Sequence, residues 1–261
     1  MLFNQFIYSE KVKNILSVLS KPLLSLVIIL FSGAVFISGC NLTESTDPAF
    51  TYEADFSEGE TLNWKPFYTG YPVHDEENME FESGLRSLPE PLNSSENGYY
   101  ITALNRSDNV KMLFRNQIDG LEPNTTYSVR FTARFATEEP SGCAGVGGAP
   151  GEAVKVIADA SNIRPEPIVE GEGVDRYYLL NIQYMGDSQE WYQNAMMGNI
   201  ANSRECEDGD EFEIKEVSSG LSHSTVTTNE NGEAWLMFGT RSGFEGQTEL
   251  YYTNFKAEFI R

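Results

Sequence analysis

The sequence predicts an all-β fold, a sandwich or barrel of about ten short strands. Three observations carry that prediction. Convincing amphipathic helices are absent from the body of the chain. Short apolar stretches recur instead, punctuated by Gly, Pro, Asn and Asp. Two of these stretches alternate with the period of a half-buried strand. In "TYSVRFTARFA", Tyr127, Val129, Phe131, Ala133 and Phe135 alternate with Ser128, Arg130, Thr132 and Arg134. In "NVKMLFRNQI", Val110, Met112, Phe114 and Ile118 oppose Lys111, Arg115 and Gln117, with Leu113 interrupting the polar face.

The elements follow in chain order. Lys11, Lys13 and Lys21 precede an uncharged apolar run, "LLSLVIILFSGAVFISG", from Leu23 to Gly39. This is the layout of an export signal, and the run is slightly short for a spanning helix. It ends on Ile37-Ser38-Gly39-Cys40, which resembles the bacterial lipobox. The resemblance implies that Cys40 carries a diacylglycerol and becomes the first mature residue. Residues 1–39 are then a lipoprotein signal peptide, 40–50 a lipidated tether and 51–261 the β-sandwich domain. Each buried CH₂ of an acyl chain contributes roughly 0.8 kcal/mol, so two or more chains hold a protein firmly on a membrane. Asn41 follows the cysteine, and by the sorting rule of enterobacterial lipoproteins a residue other than Asp favours the outer membrane. The expected location is the cell envelope. The alternative is an uncut signal anchor.

The chain has 39 acidic and 18 basic side chains, a formal net charge of −21. Removing the signal takes three lysines and one glutamate, so the remainder is more acidic still. Such a surface repels phosphate backbones, and nucleic acid is excluded as a partner. Cys143 and Cys206 remain after lipidation. In an oxidising compartment an isolated pair forms a disulfide, here closing a loop of about 64 residues and worth roughly 4 kcal/mol by chain entropy.

Further strands are expected near Trp64 and Phe81 and in "GYYITAL", "EAVKVIADA", "RYYLLNIQYM", "HSTVTT", "EAWLMFG" and "LYYTNFKAEFI". Trp64 and Trp235 fit strand patterns as core residues. Asn231-Gly232 reads as a hairpin turn. "EWYQNAMMGNIAN" reads as one helical turn or a long loop. In "GLEPNTTYSV", Leu121, Pro123, Thr125 and Tyr127 have the pattern of a tyrosine corner, in which the phenol bonds back to the turn.

Three segments together, "ADFSEGETLNW", "GLEPNTTYSVRFTARF" and "GFEGQTELYYTNFKAEF", resemble jelly-roll carbohydrate-binding modules and galactose-binding-like domains. The stretches "SGCAGVGGAPGEAVKVIADAS" and "FGTRSGFEG" resemble parts of a bacterial lipoprotein family without assigned activity. The resemblance implies an antiparallel β-sandwich of jelly-roll type and a non-catalytic binding role. Modules with a structural calcium show Asp in the last strand. Thr253-Asn254 stands there in this chain, so no specific motif supports calcium, and no other cofactor is expected.

Chemistry offers little else. His74 lies in a charged loop and His223 opens a strand, neither in a zinc pattern. No nucleophile elbow occurs. The acidic "ECEDGDEFE" lacks calcium-loop spacing and reads as a solvated loop. "GVGGAPGE" has no Lys-Ser/Thr after it, so it is no phosphate cradle. Flat rings can stack on sugars, and Trp191, Tyr192, Tyr68 and Tyr71 are the aromatics least explained by core packing. The expected function is a membrane-anchored lipoprotein with a non-catalytic β-sandwich binding a glycan or envelope component. The alternatives are a structural or protein-interaction lipoprotein, and a carboxylate-dependent glycoside hydrolase. Mass spectrometry of the native N-terminus should find the chain beginning at an acylated Cys40; an intact Met1 with a free Cys40 thiol would establish the anchor instead.

Overall fold

The structure, a computed structural model, describes residues 47–261 apart from 108, 183–193 and 221–223. Cys40, Trp191, Tyr192 and His223 therefore lie outside the described residues. In chain order the strands are β1 (Phe50–Asp55), β2 (Lys65–Thr69), β3 (Tyr71–Pro72), β4 (Glu82–Ser87), β5 (Asn97–Leu104), β6 (Lys111–Ile118), β7 (Thr126–Thr137) and β8 (Val154–Ser161). They continue with β9 (Pro167–Glu170), β10 (Tyr177–Leu180), β11 (Met196–Asn199), β12 (Glu213–Ser218), β13 (Ser224–Thr227), β14 (Ala234–Ser242) and β15 (Gln247–Ile260). The fold is an antiparallel β-sandwich of jelly-roll type. One sheet runs β12-β7-β15-β5-β4, with β1 also on β15 and β13 also on β7. The facing sheet runs β11-β8-β14-β6-β2, and a small third sheet runs β3-β10-β9.

The core lies where the alternating strands turn their apolar sides together. The five apolar residues of β7 from Tyr127 to Phe135 are all buried, as the sequence requires. Phe238 of β14 sits at the centre, its ring 4.8 Å from Trp64 and stacked on Phe255 at 4.3 Å. On β15, Leu250 and Tyr252 face inward and so do Phe255, Ala257 and Phe259. Those two sets are out of phase by one residue. The register on β7 shifts between Tyr252 and Asn254, a bulge at Thr253 that restores the apolar phase. β15 pairs with β5 before the bulge and with β1 after it.

Leu113 interrupts the polar face of β6 because the second sheet is covered on its outer side too. It packs with Phe67, Ile157, Leu180 and Met237 in a satellite core. Lys111 shares that strand and is fully buried, with Asn109 Oδ1 3.3 Å from its ammonium. Burial, with Arg241 beside it, brings its pKa down to about 7.

The tyrosine corner is present. Tyr127 is 1 % exposed, and the Glu122 amide donates to its hydroxyl at 3.2 Å. The disulfide is present as well: Cys143 and Cys206 are bonded, with Cα atoms 5.0 Å apart.

Three expectations are corrected. The described residues form fifteen strands rather than about ten. β1, β3, β9, β11 and β12 are the additions, and β11 falls in the stretch read as a helical turn or loop. Asn231-Gly232 is a turn but not a hairpin. β13 pairs with β7 in the first sheet and β14 with β6 and β8 in the second, so the turn carries the chain across the sandwich. Gly232 has φ 73°, and a Cβ there would lie 2.0 Å from the Leu121 carbonyl oxygen, against which the turn is seated. Trp235 is not core. Ala234, Leu236 and Phe238 take the inward positions, and period two leaves Trp235 outside, half-buried with Arg164 5.8 Å from its ring.

Two tyrosines give a matched test. Tyr127→Phe removes the acceptor of the Glu122 amide and should cost about 0.5–1.5 kcal/mol in urea unfolding. Tyr252 is fully buried too, but its hydroxyl has no hydrogen-bond partner among the described residues. Tyr252→Phe should be neutral or stabilising; equal losses at both positions would contradict the corner.

Candidate functional site

The outward face of the first sheet carries the polar half of each alternating strand. There β12, β7, β15 and β1 form the floor and sides of a groove of about 700 Å³, lined by polar residues throughout. The register sorts its side chains into cross-strand rows. Glu216, Arg134, Asn254 and Asp55 make the first row. Ser218, Thr132, Lys256 and Glu53 make the second. Arg130 and Glu258 face each other in the third. Ser57 and Glu96 close one end. The bulge at Thr253 sits inside the groove, and it is what turns Asn254, Lys256 and Glu258 outward.

Local bonds fix much of this surface. Arg130 Nε donates to Glu258 Oε2 at 2.8 Å, and Lys256 Nζ lies 3.6 Å from the other oxygen. The Arg130 hydrogen bond, with Lys256 beside it, holds the Glu258 carboxyl below its usual range. Asn254 Nδ2 donates to Glu53 Oε1 at 2.9 Å. The Thr132 and Ser218 hydroxyls are 3.0 Å apart. Asp55 Oδ1 accepts the Ser57 amide at 2.9 Å. Such a surface can exchange hydrogen bonds with a hydroxyl-rich ligand, its carboxylates accepting and its guanidinium and amide groups donating.

Of the aromatics offered by the sequence, Tyr68 and Tyr71 are not in this groove, and Trp191 and Tyr192 lie outside the described residues. Tyr68 of β2 is half-buried, its ring stacked on Phe81 at 4.1 Å and its hydroxyl donating to the Glu82 carbonyl at 2.8 Å. Burial pushes its phenol up to about 12. Tyr71 of β3 is 4 % exposed and packs between Phe81 and Tyr178, with ring centroids 4.8 and 5.0 Å away. Glu76 accepts from both Tyr71 and Tyr178, at 3.5 and 3.2 Å. These rings are occupied by one another, which leaves Tyr71 no open face for a sugar. The groove residues were present in the sequence only as the polar positions of β7 and β15, and nothing local distinguishes them from a solvated face.

Other candidates resolve structurally. His74 is exposed beside Asp75. The acidic loop around Cys206 is organised by Arg204, which donates to the carbonyls of Asp208 and Gly209 and to Glu211. Among the described residues, no three His, Cys, Asp or Glu side chains converge in a way that could hold a metal ion.

No protein-family model matches the chain, and no curated relative matches it. Among solved structures it is similar to the mannan-recognising carbohydrate-binding module TmCBM27, with 11% identity, 82% of this chain and 99% of that one covered, and a TM-score of 0.38. It is similar to the K1 cleaved adhesin domain of Lys-gingipain from Porphyromonas gingivalis, with 9% identity, coverage of 80% and 98%, and a TM-score of 0.37. A third is the CBM22-1–CBM22-2 tandem domain of Xyn10C from Paenibacillus barcinonensis, with 9% identity, coverage of 84% and 47%, and a TM-score of 0.36. At this level of similarity no residue role passes from those proteins to this one.

Just past the end of β7, Glu139 is raised to about 7 by burial, with Glu138, Asp210 and Glu249 adding repulsion. The folded protein therefore holds this proton over a range where the unfolded chain, near 4.5, has lost it. Stability should fall as pH rises from about 4.5 through about 7. Glu139→Gln should raise the melting temperature above that window, and the gain should vanish near its lower end.

Proposed function

We propose that this is a non-catalytic glycan-binding lipoprotein, held on the cell envelope by lipid at Cys40, with the groove on the first sheet as its binding surface. The groove carries the reading. Its volume of about 700 Å³ lies in the range of ordinary ligand sites, and its lining is polar from end to end. A hydrophobic ligand finds no apolar side chain in that lining to pack on. A sugar chain presents donors and acceptors along its whole length, and a floor of alternating carboxylate, guanidinium, amide and hydroxyl groups matches that pattern. The site is long across four strands, which suits an extended ligand.

Binding rather than turnover is favoured by Glu258. Glycoside cleavage needs a carboxyl that stays protonated to donate to the leaving group. Glu258 is the deep carboxylate of the floor, with a side chain 13% exposed, and its hydrogen bond to Arg130 lowers its pKa. That shift is opposite to the one an acid catalyst needs.

The lipobox resemblance of Ile37-Ser38-Gly39-Cys40 supports the anchor, and the acidic composition supports a partner other than nucleic acid. A glycan array probed with the full-length protein in mild detergent should return a limited set of binders. Thr132 lies in the middle row of the groove, so Thr132→Trp should fill the floor and abolish binding with the melting temperature unchanged. Retained binding in that variant would place the ligand elsewhere.

A further inference from the structure

We infer that the groove's ligand is an acidic heteroglycan, one whose carboxylates are spaced by neutral sugars, and that Arg134 seats the carboxylate. The inference rests on the glycan-binding reading of the groove and adds the chemical class of the ligand.

The charges of the groove are sorted by strand. The central strands β7 and β15 carry three cations, Arg130, Arg134 and Lys256, against one carboxylate, Glu258. The other acids lie around them: Glu216 on β12, Glu53 and Asp55 on β1, and Glu96 beside Ser57. The result is a basic floor between acidic rims, in a chain whose formal net charge is −21.

Two of the three floor cations already have their counter-ion. Arg130 and Lys256 both lie on Glu258, at 2.8 and 3.6 Å. Arg134 differs. It is exposed and forms no ion pair among the described residues, although Glu216 is its direct cross-strand neighbour. Its Nη1 lies 3.5 Å from the Thr253 hydroxyl, at the outer limit of a hydrogen bond. The donor fork of the guanidinium is therefore open to the groove. A planar fork of this kind matches a carboxylate with two parallel hydrogen bonds, a geometry that lysine does not supply.

The rims set the spacing of charge on the ligand. A polymer with a carboxylate on every sugar would lay several charges against Glu216, Glu53 and Asp55 and be repelled. A polymer with isolated carboxylates can place one on Arg134 and turn neutral sugars, with hydroxyl donors, toward the rim acids.

The test uses the full-length protein in mild detergent and three polymers with spaced uronates: hyaluronan, glucuronoxylan and xanthan. Each is compared with the same polymer after its carboxylates are reduced to primary alcohols. At least one native polymer should bind, with affinity falling as salt is raised. Carboxyl reduction and Arg134→Gln should each weaken that binding by about tenfold or more, the scale of a charge-assisted hydrogen-bond pair. Arg134→Lys should recover part of the loss, because it keeps the charge without the fork. Equal binding of native and reduced polymers, an unaltered Arg134→Gln, or binding confined to neutral glycans would overturn the inference and leave the groove as a glycan site. No binding to any glycan, acidic or neutral, would remove the glycan reading and this inference together.

Discussion

The sandwich depends on how one strand, β15, is phased. It pairs with β7 along one edge, and with β5 and then β1 along the other. Strands β5 and β1 cannot both stay in register with a regular β15 and still find apolar side chains beneath them. The bulge at Thr253 resolves this by inserting one unpaired position. Before it, Leu250 and Tyr252 face the core; after it, Phe255, Ala257 and Phe259 do. Without the shift, Asn254, Lys256 and Glu258 would enter the apolar layer. Burying an ammonium and a carboxylate there costs several kcal/mol each, more than a domain of this size can lose. The same bulge aims those three residues into the groove, so one backbone irregularity serves both the core and the site.

The two large sheets use their outer faces differently. The second sheet is covered, and its outward positions carry apolar residues such as Leu113, Ile157 and Met237. That cover explains the unusual burial of Lys111, whose position on β6 would face solvent in a two-layer sandwich. Among the described residues nothing covers the first sheet around β7 and the later half of β15, and there the outward positions are polar or charged. Nearer β5 the same face is closed by Tyr100, Tyr251, Phe212 and Leu88, with the Arg86 guanidinium 3.7 Å above the Tyr100 ring. The polar groove is thus bordered by a small apolar cluster on the same sheet.

Much of this was legible before any coordinates. Period two identified β7 and β6, and short apolar stretches bounded by turn residues identified β14 and β15. The tyrosine corner was readable because its turn and phenol are close in sequence. The disulfide followed from cysteine arithmetic. What escaped depended on tertiary context. β3 and β9 are two and four residues long and each includes a proline, which local propensity disfavours. β12, "EIKEVS", carries Ile214 and Val217 on opposite faces, because one packs on the outer cluster and the other in the core. Trp235 was misplaced because a bulky aromatic suggests burial, while its phase on β14 points outward. The groove escaped altogether. Its rows join residues from four strands, and cross-strand register is not written in any single segment.

Because core and site alternate along the same strands, the two are separable by substitution but not by length. Exchanging Arg134, Asn254 or Lys256 for another polar residue alters what the groove can recognise and leaves the inward positions untouched. Removing or adding one residue near Thr253 would swap inward for outward side chains along one of the two halves of β15. A lineage of such proteins could therefore diversify its ligands freely by point changes, while insertions and deletions in β15 would be eliminated by loss of folding.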